Sequence, residues 1–369
     1  MIRLALIGLG KMGISHLAIV NSHPDVRLVA VCDTNAYVSS TLNKYTGIKV
    51  FTDYRQVLAA GNLDAVIIAT PPRFHGEMVR AALDQHLHVF CEKPFCLNAD
   101  EGAELAALAK DRGLVNQVGY HCRFVGAFKE AKRLVTAGTL GRVHHVRAES
   151  YGPVVLRPKG ASWRAQRTEG GGCLYDYASH AIDLVTYLVG TPDRVSGTVL
   201  NRIFSQDVED EVYTTLYFPD GMTGQLSSNW SDESYRKLST KMTIWGTNGR
   251  LTVDRQEVQL FLRDNVVGNP ALKLGWNVLY TTELTDEVWY YLRGEEYSAQ
   301  IDHFIRCIET KQTETISSFA SAVETDQIVS MIVEDSGVAR NSATKRGPHQ
   351  ERAVPRKKGI FRRVRALLA

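Results

Sequence analysis

Three side chains in this sequence have the types and settings that suit proton transfer at an alcohol carbon. Lys93 is the middle residue of a Glu-Lys-Pro triplet after an apolar run, where its ammonium could stabilise a developing alkoxide or hold a hydroxyl group. His180 follows three glycines, and an imidazole with an ordinary pKa of about 6.5 suits removal of a hydroxyl proton. Asp176 could orient that imidazole or bind a neighbouring hydroxyl. A surface lysine and a polar group satisfied within the fold are the plainer interpretations.

These acids and the histidine fall in a stretch that is predicted to be helical through about Leu188. Asp176, His180 and Asp183 have i,i+4 and i,i+3 spacing, so their side chains are predicted to share one helix face. The glycines at 170–172 free the chain to turn into that helix.

A glycine pattern near the start of the chain is typical of a phosphate-binding turn. A short apolar run, Leu4–Ile7, is followed by GLGKMG and then by a helical stretch to about Val20. The first glycine permits a tight turn, the second lets the backbone approach a pyrophosphate, and the third lets the helix pack closely on the strand. The phosphates would lie at the positive end of that helix. The candidate cofactor-binding residues of this turn are Gly8, Gly10, Lys11, Met12 and Gly13.

An acidic residue follows the second predicted strand, Arg27–Cys32. Asp33 lies 20 residues after Gly13, where a carboxylate accepts hydrogen bonds from the ribose hydroxyls of a dinucleotide. The same carboxylate would repel a 2′-phosphate, and Thr34 and Asn35 offer no cation to bind one. The sequence therefore predicts NAD as the cofactor, with NADP less favoured. A glycine turn followed by an unrelated surface aspartate is the alternative.

Apolar strands alternate with helices over residues 1–121, which predicts a doubly wound parallel sheet with helices on both faces. Ligands bind such sheets at the carboxyl ends of the strands. The candidate cofactor-binding residues at those ends are Thr70, Pro71, His75, Glu92 and Lys93. The further predicted elements are strands Leu63–Ala69, His88–Cys91 and Leu114–Val118 and helices Phe74–Gln85 and Ala99–Asp111.

A second domain is predicted over residues 122–340. A helix at Ala127–Ala137 and a strand at Val143–Tyr151 lead to six strand-like runs between about residues 194 and 260. These runs predict a large, mostly antiparallel sheet with hairpin links, so the fold class is α/β with an open second sheet. A homodimer or homotetramer would cover the open face. Helices return at Ser298–Thr310 and Phe319–Gly337.

Composition excludes several classes of protein. The chain is 44% hydrophobic and 22% charged, which is typical of globular proteins, and no apolar run approaches the roughly 20 residues that cross a bilayer. The apolar start stops at Gly8 and is interpreted as a buried strand of a cytoplasmic protein, not as a signal peptide. The six cysteines form no CxxC pair and no zinc-ligand spacing with histidine, so reduced thiols and no metal are expected.

Positive charge is concentrated at the C-terminus. Residues 340–369 carry ten Lys or Arg against one acid, which leaves 33 basic and 39 acidic residues elsewhere, so no nucleic-acid partner is expected. Within the tail, residues 341–369, apolar side chains from Ile360 to Leu368 fall on one helical face beside arginines. Such a basic amphipathic helix can lie on an anionic membrane, and peripheral contact with the inner face of the membrane is one interpretation. A disordered tail or one docked on a partner is the alternative.

The chain resembles the family of glucose–fructose oxidoreductase and inositol 2-dehydrogenase, abbreviated Gfo/Idh/MocA, over about residues 1–337. The resemblance rests on GLGKMG, Thr70-Pro71-Pro72 with His75, Glu92-Lys93-Pro94, Tyr120-His121-Cys122-Arg123-Phe124, and the glycines at 170–172 with Asp176 and His180. It implies a Rossmann domain followed by an α/β domain whose open sheet mediates oligomers. It also implies that Lys93 and His180 are catalytic and that Asp176 lies at the substrate. Ala178 stands where relatives often have glycine.

The resemblance leaves the substrate open among sugars, cyclitols, nucleotide-linked sugars and a few other compounds. A basic, loop-like segment, Arg157–Glu169, surrounds Trp163 with Arg157, Lys159, Arg164 and Arg167. Four cations near a pocket mouth would suit an anionic substrate such as a nucleotide-diphosphate sugar, and a solvated basic loop explains them equally well. The candidate substrate-binding residues are Lys93, Tyr120, Arg123, Trp163, Arg164, Asp176 and His180.

The sequence therefore predicts an NAD(P)-dependent dehydrogenase that oxidises or reduces a hydroxyl or carbonyl carbon of a sugar-like substrate. Two alternatives stay open. An NAD-dependent glycoside hydrolase of the same family would return the hydride that it removes and accumulate no NADH. A dinucleotide-binding regulator without catalysis would not need Lys93, Asp176 and His180.

Overall fold

The computed structural model describes residues 1–35, 47–154, 163–265, 271–286, 290 and 294–337. The predicted basic tail, residues 341–369, lies outside these ranges, as do Arg157 and Lys159 of the basic loop. Among the described helices, none is both long enough and apolar enough to span a membrane. All six cysteines fall within the described ranges and are buried free thiols.

The first part of the described chain forms a six-stranded parallel sheet, which confirms the predicted doubly wound fold. Its strands are β1 Ile2–Ile7, β2 Val26–Cys32, β3 Lys49–Phe51, β4 Ala65–Ile68, β5 His88–Cys91 and β6 Asn116–Val118. The spatial order is β3-β2-β1-β4-β5-β6, so the strand order reverses between β1 and β4. Sheets of this kind bind ligands in the crevice at that reversal. The sequence did not predict β3, because it has three residues and none is fully buried.

Helices cover both faces of this sheet. They are α1 Lys11–Ser22, α2 Tyr54–Ala59, α3 His75–Asp84 and α4 Ala99–Asp111. On one face α1 packs Ile19 and Val20. On the other face α3 and α4 pack Val79, Leu83 and Leu105. Because successive side chains of a strand point to opposite faces, β1 contributes to both apolar clusters.

The second part of the described chain forms an eight-stranded sheet, and it is mostly antiparallel as predicted. Its strands are β7 Val143–Tyr151, β8 Arg194–Asn201, β9 Glu211–Tyr217, β10 Thr223–Asn229, β11 Ser239–Gly246, β12 Gly249–Val253, β13 Glu257–Leu262 and β14 Gly275–Tyr280. The spatial order is β14-β13-β12-β11-β7-β10-β9-β8, and β7 pairs in parallel with β10. The edge strand β14 was not predicted, because its alternate residues are half-buried rather than buried.

The described helices cover one face of the second sheet, and the edge strand β14 exposes side chains on the other face. These helices are α5 Gly126–Thr136, α6 Ser179–Val189 and the short α7 Thr281–Leu284. On α5, Phe128, Ala131 and Leu134 recur every three residues and so line one face of the helix, which packs into the same core as α6. On the outer face Trp276 and Tyr280 are 54% and 53% exposed.

Two helices near the end of the described chain, α8 Glu295–Glu309 and α9 Phe319–Asp335, return to the first sheet. α8 packs Ile301 and Phe304 on the face that α1 covers. α9 packs Phe319 on the opposite face and continues into the core of the second sheet through Ile328. Helices that lie after the second sheet in the sequence therefore complete the first one and join the two cores.

Candidate active site

The glycine turn between β1 and α1 leaves open space only at its middle glycine. Gly8 has φ of +94°, and a Cβ atom there would lie 2.6 Å from the carbonyl oxygen of Ala69. A Cβ atom at Gly13 would strike the carbonyl oxygen of Gly8. At Gly10 no described atom lies within 4 Å of such a Cβ, and no described side chain caps α1. The turn therefore fits a pyrophosphate that approaches Gly10 and accepts from the first N–H groups of the helix.

Asp33 directly follows β2 and holds the glycine turn. Its carboxylate accepts hydrogen bonds from the backbone N–H groups of Leu9 at 2.6 Å and Asn35 at 2.7 Å. A carboxylate has about four lone-pair sites, so it can accept ribose hydroxyls in addition. In the first turn of α1, Lys11 is exposed and Met12 is half-buried.

Two buried histidines hold the segments at the ends of strands β4 and β5 in place. His75 is buried, with Nδ1 2.8 Å from the carbonyl oxygen of Pro94 and Nε2 3.0 Å from that of Thr70. It ties the loop after β4 to the loop after β5. His16, which the sequence did not single out, lies 2.6 Å from the buried Glu92 carboxylate and links α1 to the same strand end. These contacts make His75 and Glu92 part of the frame of the site.

The ammonium of Lys93 is held by a carboxylate from the second half of the chain. Nζ donates to a carboxylate oxygen of Asp176 at 3.0 Å and to its carbonyl oxygen at 2.8 Å. Arg164 donates to the other carboxylate oxygen at 2.8 Å. Burial raises the pKa of Asp176, but Lys93 and Arg164 together lower it to about 2. Asp176 is therefore ionised at neutral pH and fixes the position of the ammonium.

A π-helical turn, Leu174–Ala178, carries Asp176 and runs directly into α6. Gly172 before it has φ of +111°, and a Cβ atom there would strike the carboxylate of Glu209. That carboxylate accepts the backbone N–H of Leu174 at 2.9 Å and so fixes the start of the turn. The glycine is needed both for its backbone conformation and for the space that Glu209 occupies.

His180, on α6, is a buried imidazole of the site. Its ring is edge-on to Tyr120 and to His121, with centroid distances of 6.3 and 5.0 Å. Nδ1 is buried without a hydrogen-bond partner among the described residues. Burial lowers the pKa of His180 well below its usual value, and the positive charges of Lys93 and Arg255 lower it further. The imidazole is therefore neutral at pH 7 and can accept a proton.

Sequence reasoning missed a group of residues around His180. Arg255, in the hairpin between β12 and β13, donates to Nε2 of His121 at 3.2 Å and pairs with Glu296 of α8. His121 stacks on Tyr297 with the ring centroids 4.7 Å apart. Of these residues, only His121 could have been identified from the sequence, because it lies in a segment on which the family resemblance rests. No local pattern marks the others.

Among the described residues, one cluster has donor atoms close enough to hold a metal ion. His121, Cys122 and His180 each place one nitrogen or sulfur atom within 4.8 Å of the others. Arg255 already donates to His121, and both Arg255 and Lys93 oppose a further positive charge at the two histidines. These electrostatics favour proton transfer over metal binding, and the expected absence of a metal stays a prediction.

Arg123 is committed to a buried ion pair. Its guanidinium donates to both carboxylate oxygens of Asp183 at 2.8–3.1 Å and to the carbonyl oxygen of Ile316 at 2.8 Å. Asp183 therefore faces Arg123, whereas Asp176 faces Lys93. The predicted shared α-helical face of the two acids does not form, because Asp176 lies in the π-helical turn. These contacts place Arg123 in the frame of the fold, and its predicted role at the substrate finds no support among them.

The loop before the glycines lies over the strand ends of the first sheet. The Arg164 guanidinium packs over the Trp163 ring, 4.7 Å from its centroid. Arg73, in the 3₁₀ turn that Pro71 precedes, pairs with Glu169 of this loop at 2.5 Å. The structure therefore gathers Lys93, Tyr120, Trp163, Arg164, Asp176 and His180 on this side of the molecule.

Comparisons with known proteins agree with this architecture. Residues 2–120 match the GFO_IDH_MocA oxidoreductase family with its NAD-binding Rossmann fold, and residues 128–252 match the GFO/IDH/MocA C-terminal domain. The chain belongs to the Gfo/Idh/MocA family of oxidoreductases. The predicted family and enzyme class are therefore confirmed, and so is NAD binding as the property of the first domain.

Gfo/Idh/MocA proteins of known activity are similar to the chain over most of its length. It is 25% identical to scyllo-inositol 2-dehydrogenase (NAD(+)) of Bacillus subtilis (strain 168), over 87% of the chain and 90% of that enzyme. It is 29% identical to D-glucoside 3-dehydrogenase of Escherichia coli (strain K12), over 60% of the chain and 68% of that enzyme. The solved structure of levoglucosan dehydrogenase in complex with NADH shares the fold, with a TM-score of 0.79 at 24% identity, over 91% of the chain and 97% of that structure.

The glycine turn supplies a test of cofactor binding with a matched control. Gly10→Ala should fold like the wild type and lose NADH affinity by about tenfold or more, because the methyl group would fill the space for the pyrophosphate. Gly13→Ala should instead lower the melting temperature, because its Cβ atom would strike the Gly8 carbonyl oxygen. NADH fluorescence titration and thermal melts measure the two effects. Unchanged NADH affinity in Gly10→Ala would remove this turn from the cofactor site.

The buried Arg123–Asp183 pair predicts a loss of stability. Asp183→Asn should lower the free energy of unfolding by about 3–5 kcal/mol, because Arg123 keeps a buried charge without its counterion. Glu130→Gln is the control, since it breaks the more exposed ion pair with Arg133 and should change stability by about 1 kcal/mol or less. Urea unfolding measures both. Normal stability in Asp183→Asn would contradict a structural role for Arg123.

Proposed function

We propose that the chain is an NAD-dependent dehydrogenase that transfers a hydride to or from a CH–OH carbon of a sugar, cyclitol or nucleotide-linked sugar. The observation that carries the proposal is the Lys93–Asp176 ion pair in electrostatic contact with the neutral imidazole of His180. A fixed cation and a neutral base are the two groups that oxidation of an alcohol requires. They meet near the carboxyl ends of parallel strands, where sheets of this type bind dinucleotides.

The proposed mechanism divides the chemistry between these residues. NAD, when bound, supplies the hydride acceptor. His180 takes the hydroxyl proton, and Lys93 stabilises the negative charge that develops on the same oxygen. Asp176 holds Lys93 in place and can accept a hydrogen bond from a neighbouring hydroxyl. In the opposite direction His180 returns the proton to the carbonyl oxygen.

The substrate class rests on the relatives and on one local feature. Two relatives are named for oxidation of an inositol and of a D-glucoside, which supports a ring carbon with a secondary hydroxyl. Arg164 has 40% of its side chain exposed and packs over Trp163. A phosphate group could accept hydrogen bonds from this guanidinium while its Nε–H stays on Asp176. That contact would favour a nucleotide-linked sugar over the free sugar.

A substrate screen tests the proposal. NADH formation should be followed at its absorbance band with inositols, free sugars, glucosides and nucleotide-linked sugars. With the best substrate, Lys93→Met and His180→Ala should each lower turnover by about 100- to 10,000-fold while NADH binding stays measurable. Lys110→Met removes an exposed lysine on α4 and should keep wild-type turnover.

The outcomes separate the candidate functions. Near-normal turnover in Lys93→Met and His180→Ala would show that the site is assigned to the wrong residues. Release of a sugar from a glycoside without accumulation of NADH would identify the hydrolase. Equal efficiency with a free sugar and its nucleotide-linked form would remove the role proposed for Arg164.

The proposed enzyme is a homodimer or homotetramer that buries the outer face of the second sheet. Trp276 and Tyr280 project from β14 on this face, and Phe261 packs against Trp276 with the ring centroids 5.3 Å apart. Exposed aromatic side chains of this kind are costly to leave in water, and a second copy of the sheet would cover them.

A charged residue in this surface should dissociate the oligomer. Trp276→Glu should move the mass measured by light scattering from a multiple of the chain mass toward one chain, because burying the carboxylate would cost several kcal/mol. Ile316→Glu is the control, since Ile316 is 37% exposed and lies outside the sheet. A monomeric wild type, or a Trp276→Glu variant with the wild-type mass, would refute this interface.

A further inference from the structure

The hairpin between β12 and β13 carries an arginine into the active site. Arg255 lies at its tip, where the Asp254 carboxylate accepts the backbone N–H groups of Gln256 and Glu257 at 2.7 and 3.2 Å. The guanidinium pairs with Glu296, which is buried in the first turn of α8. The hairpin of the second sheet therefore places the Arg255 guanidinium beside the Glu296 carboxylate of α8, a helix that packs against the first sheet.

The second contact of Arg255 settles where the proton of His121 lies. The guanidinium donates to Nε2 of His121 at 3.2 Å, and a guanidinium can only donate. Nε2 must accept, so the single proton of the neutral ring is on Nδ1. A second proton on Nε2 would face the guanidinium and break this hydrogen bond.

His121 is in turn packed against the proposed base. Its ring meets the His180 ring at 71° with a centroid distance of 5.0 Å, and it stacks on Tyr297 at 19°. Because the two rings are in contact, a positive charge on His121 would act directly on His180. Because Lys93 already lowers the proton affinity of His180, such a charge would weaken the base further.

We propose that Arg255, anchored by Glu296, is a positioning residue that holds His121 neutral with its proton on Nδ1 and so keeps a further positive charge away from His180. The proposal rests on the proposed dehydrogenase function, in which His180 takes the hydroxyl proton. Without Arg255, the buried carboxylate of Glu296 would lack its counterion. Glu296 already acts electrostatically on Cys122 and Tyr297, which both contact His121, so the uncompensated carboxylate would favour a proton on that ring.

The surroundings of His121 support this assignment. Burial lowers the pKa of His121 to about 3, and the positive charges of Arg255 and Lys93 contribute. The pKa lies below the ordinary value, so His121 is neutral above about pH 4 and gains a proton only in stronger acid. The titratable or charged groups that face it are Lys93, Cys122, His180, Arg255 and Tyr297, and Glu296 lies behind Arg255 as its ion-pair partner.

NMR of the full-length protein with labelled histidine side chains tests the proposal without a substrate. The chain has eleven histidines, and His121→Asn and His180→Asn assign the two signals. In the wild type, His121 should show the Nδ1–H tautomer and no titration between about pH 5 and 8.5. An Nε2–H tautomer, or titration near the ordinary histidine pKa, would overturn the proposal without any variant of Arg255.

Variants of the ion pair give the second part of the test. Arg255→Met should raise the titration midpoint of His121 by about two pH units or more, because the variant removes a positive charge next to the ring and leaves Glu296 without its counterion. Arg255→Met combined with Glu296→Gln removes both charges, and His121 should return to the neutral form. Arg250→Met, which removes an arginine packed over Trp276, is the matched control and should leave both histidines unchanged. Identical titration in Arg255→Met and the wild type would refute the role of Arg255.

Kinetics connect the NMR result to the proposed function and keep the two separable. With the substrate found in the screen, Arg255→Met should lose turnover progressively as the pH falls below neutral, while NADH affinity stays at the wild-type value. Turnover that falls equally at every pH would indicate a structural role only and would refute the proposal. A screen that finds no substrate would count against the dehydrogenase and leave the NMR result standing.

Discussion

The site depends on one buried carboxylate. Asp176 lies between the ammonium of Lys93 and the guanidinium of Arg164, and the three groups come from separate segments of the chain. Taking a carboxylate out of water costs several kcal/mol, which only well-placed cations offset. The charge on Asp176 is therefore tolerated only while the end of β5, the π-helical turn and the loop before it stay together. The site therefore keeps its geometry only while the two halves of the chain stay docked on each other.

Positive charge acts in two opposite ways on the proposed chemistry. Around a developing alkoxide, Lys93 supplies stabilisation that grows as the negative charge forms. On His180 the same charge lowers proton affinity, and a base whose pKa lies far below the working pH accepts protons less readily. The total positive charge at the site must therefore be limited. Asp176 offsets part of this positive charge, and Glu296 offsets the charge of Arg255. A protonated His121 would add a positive charge that neither carboxylate balances.

Most of the architecture could be predicted from the sequence, because the patterns that define it are local. Alternating strands and helices identified the parallel sheet, and hairpin turns identified the second one. The misses have local causes too, since β3 is only three residues long and β14 presents an alternation of half-buried and exposed residues. The π-helical turn was also missed, because α-helical spacing was assumed through Asp176 and His180. Its start is fixed instead by Glu209, which lies 35 residues from Leu174.

The residue types of the candidate site could be predicted from the sequence, but the partner that each side chain binds could not. Arg123 and Arg164 both looked like cations for a substrate, and burial separates them. Arg123 is 4% exposed, so its donors must be satisfied within the fold, and Asp183 and the carbonyl oxygen of Ile316 satisfy them. Arg164 keeps much of its side chain at the surface. The difference arises because α9 and the segment before it return to the first sheet, so contacts 193 residues away decide the role of Arg123.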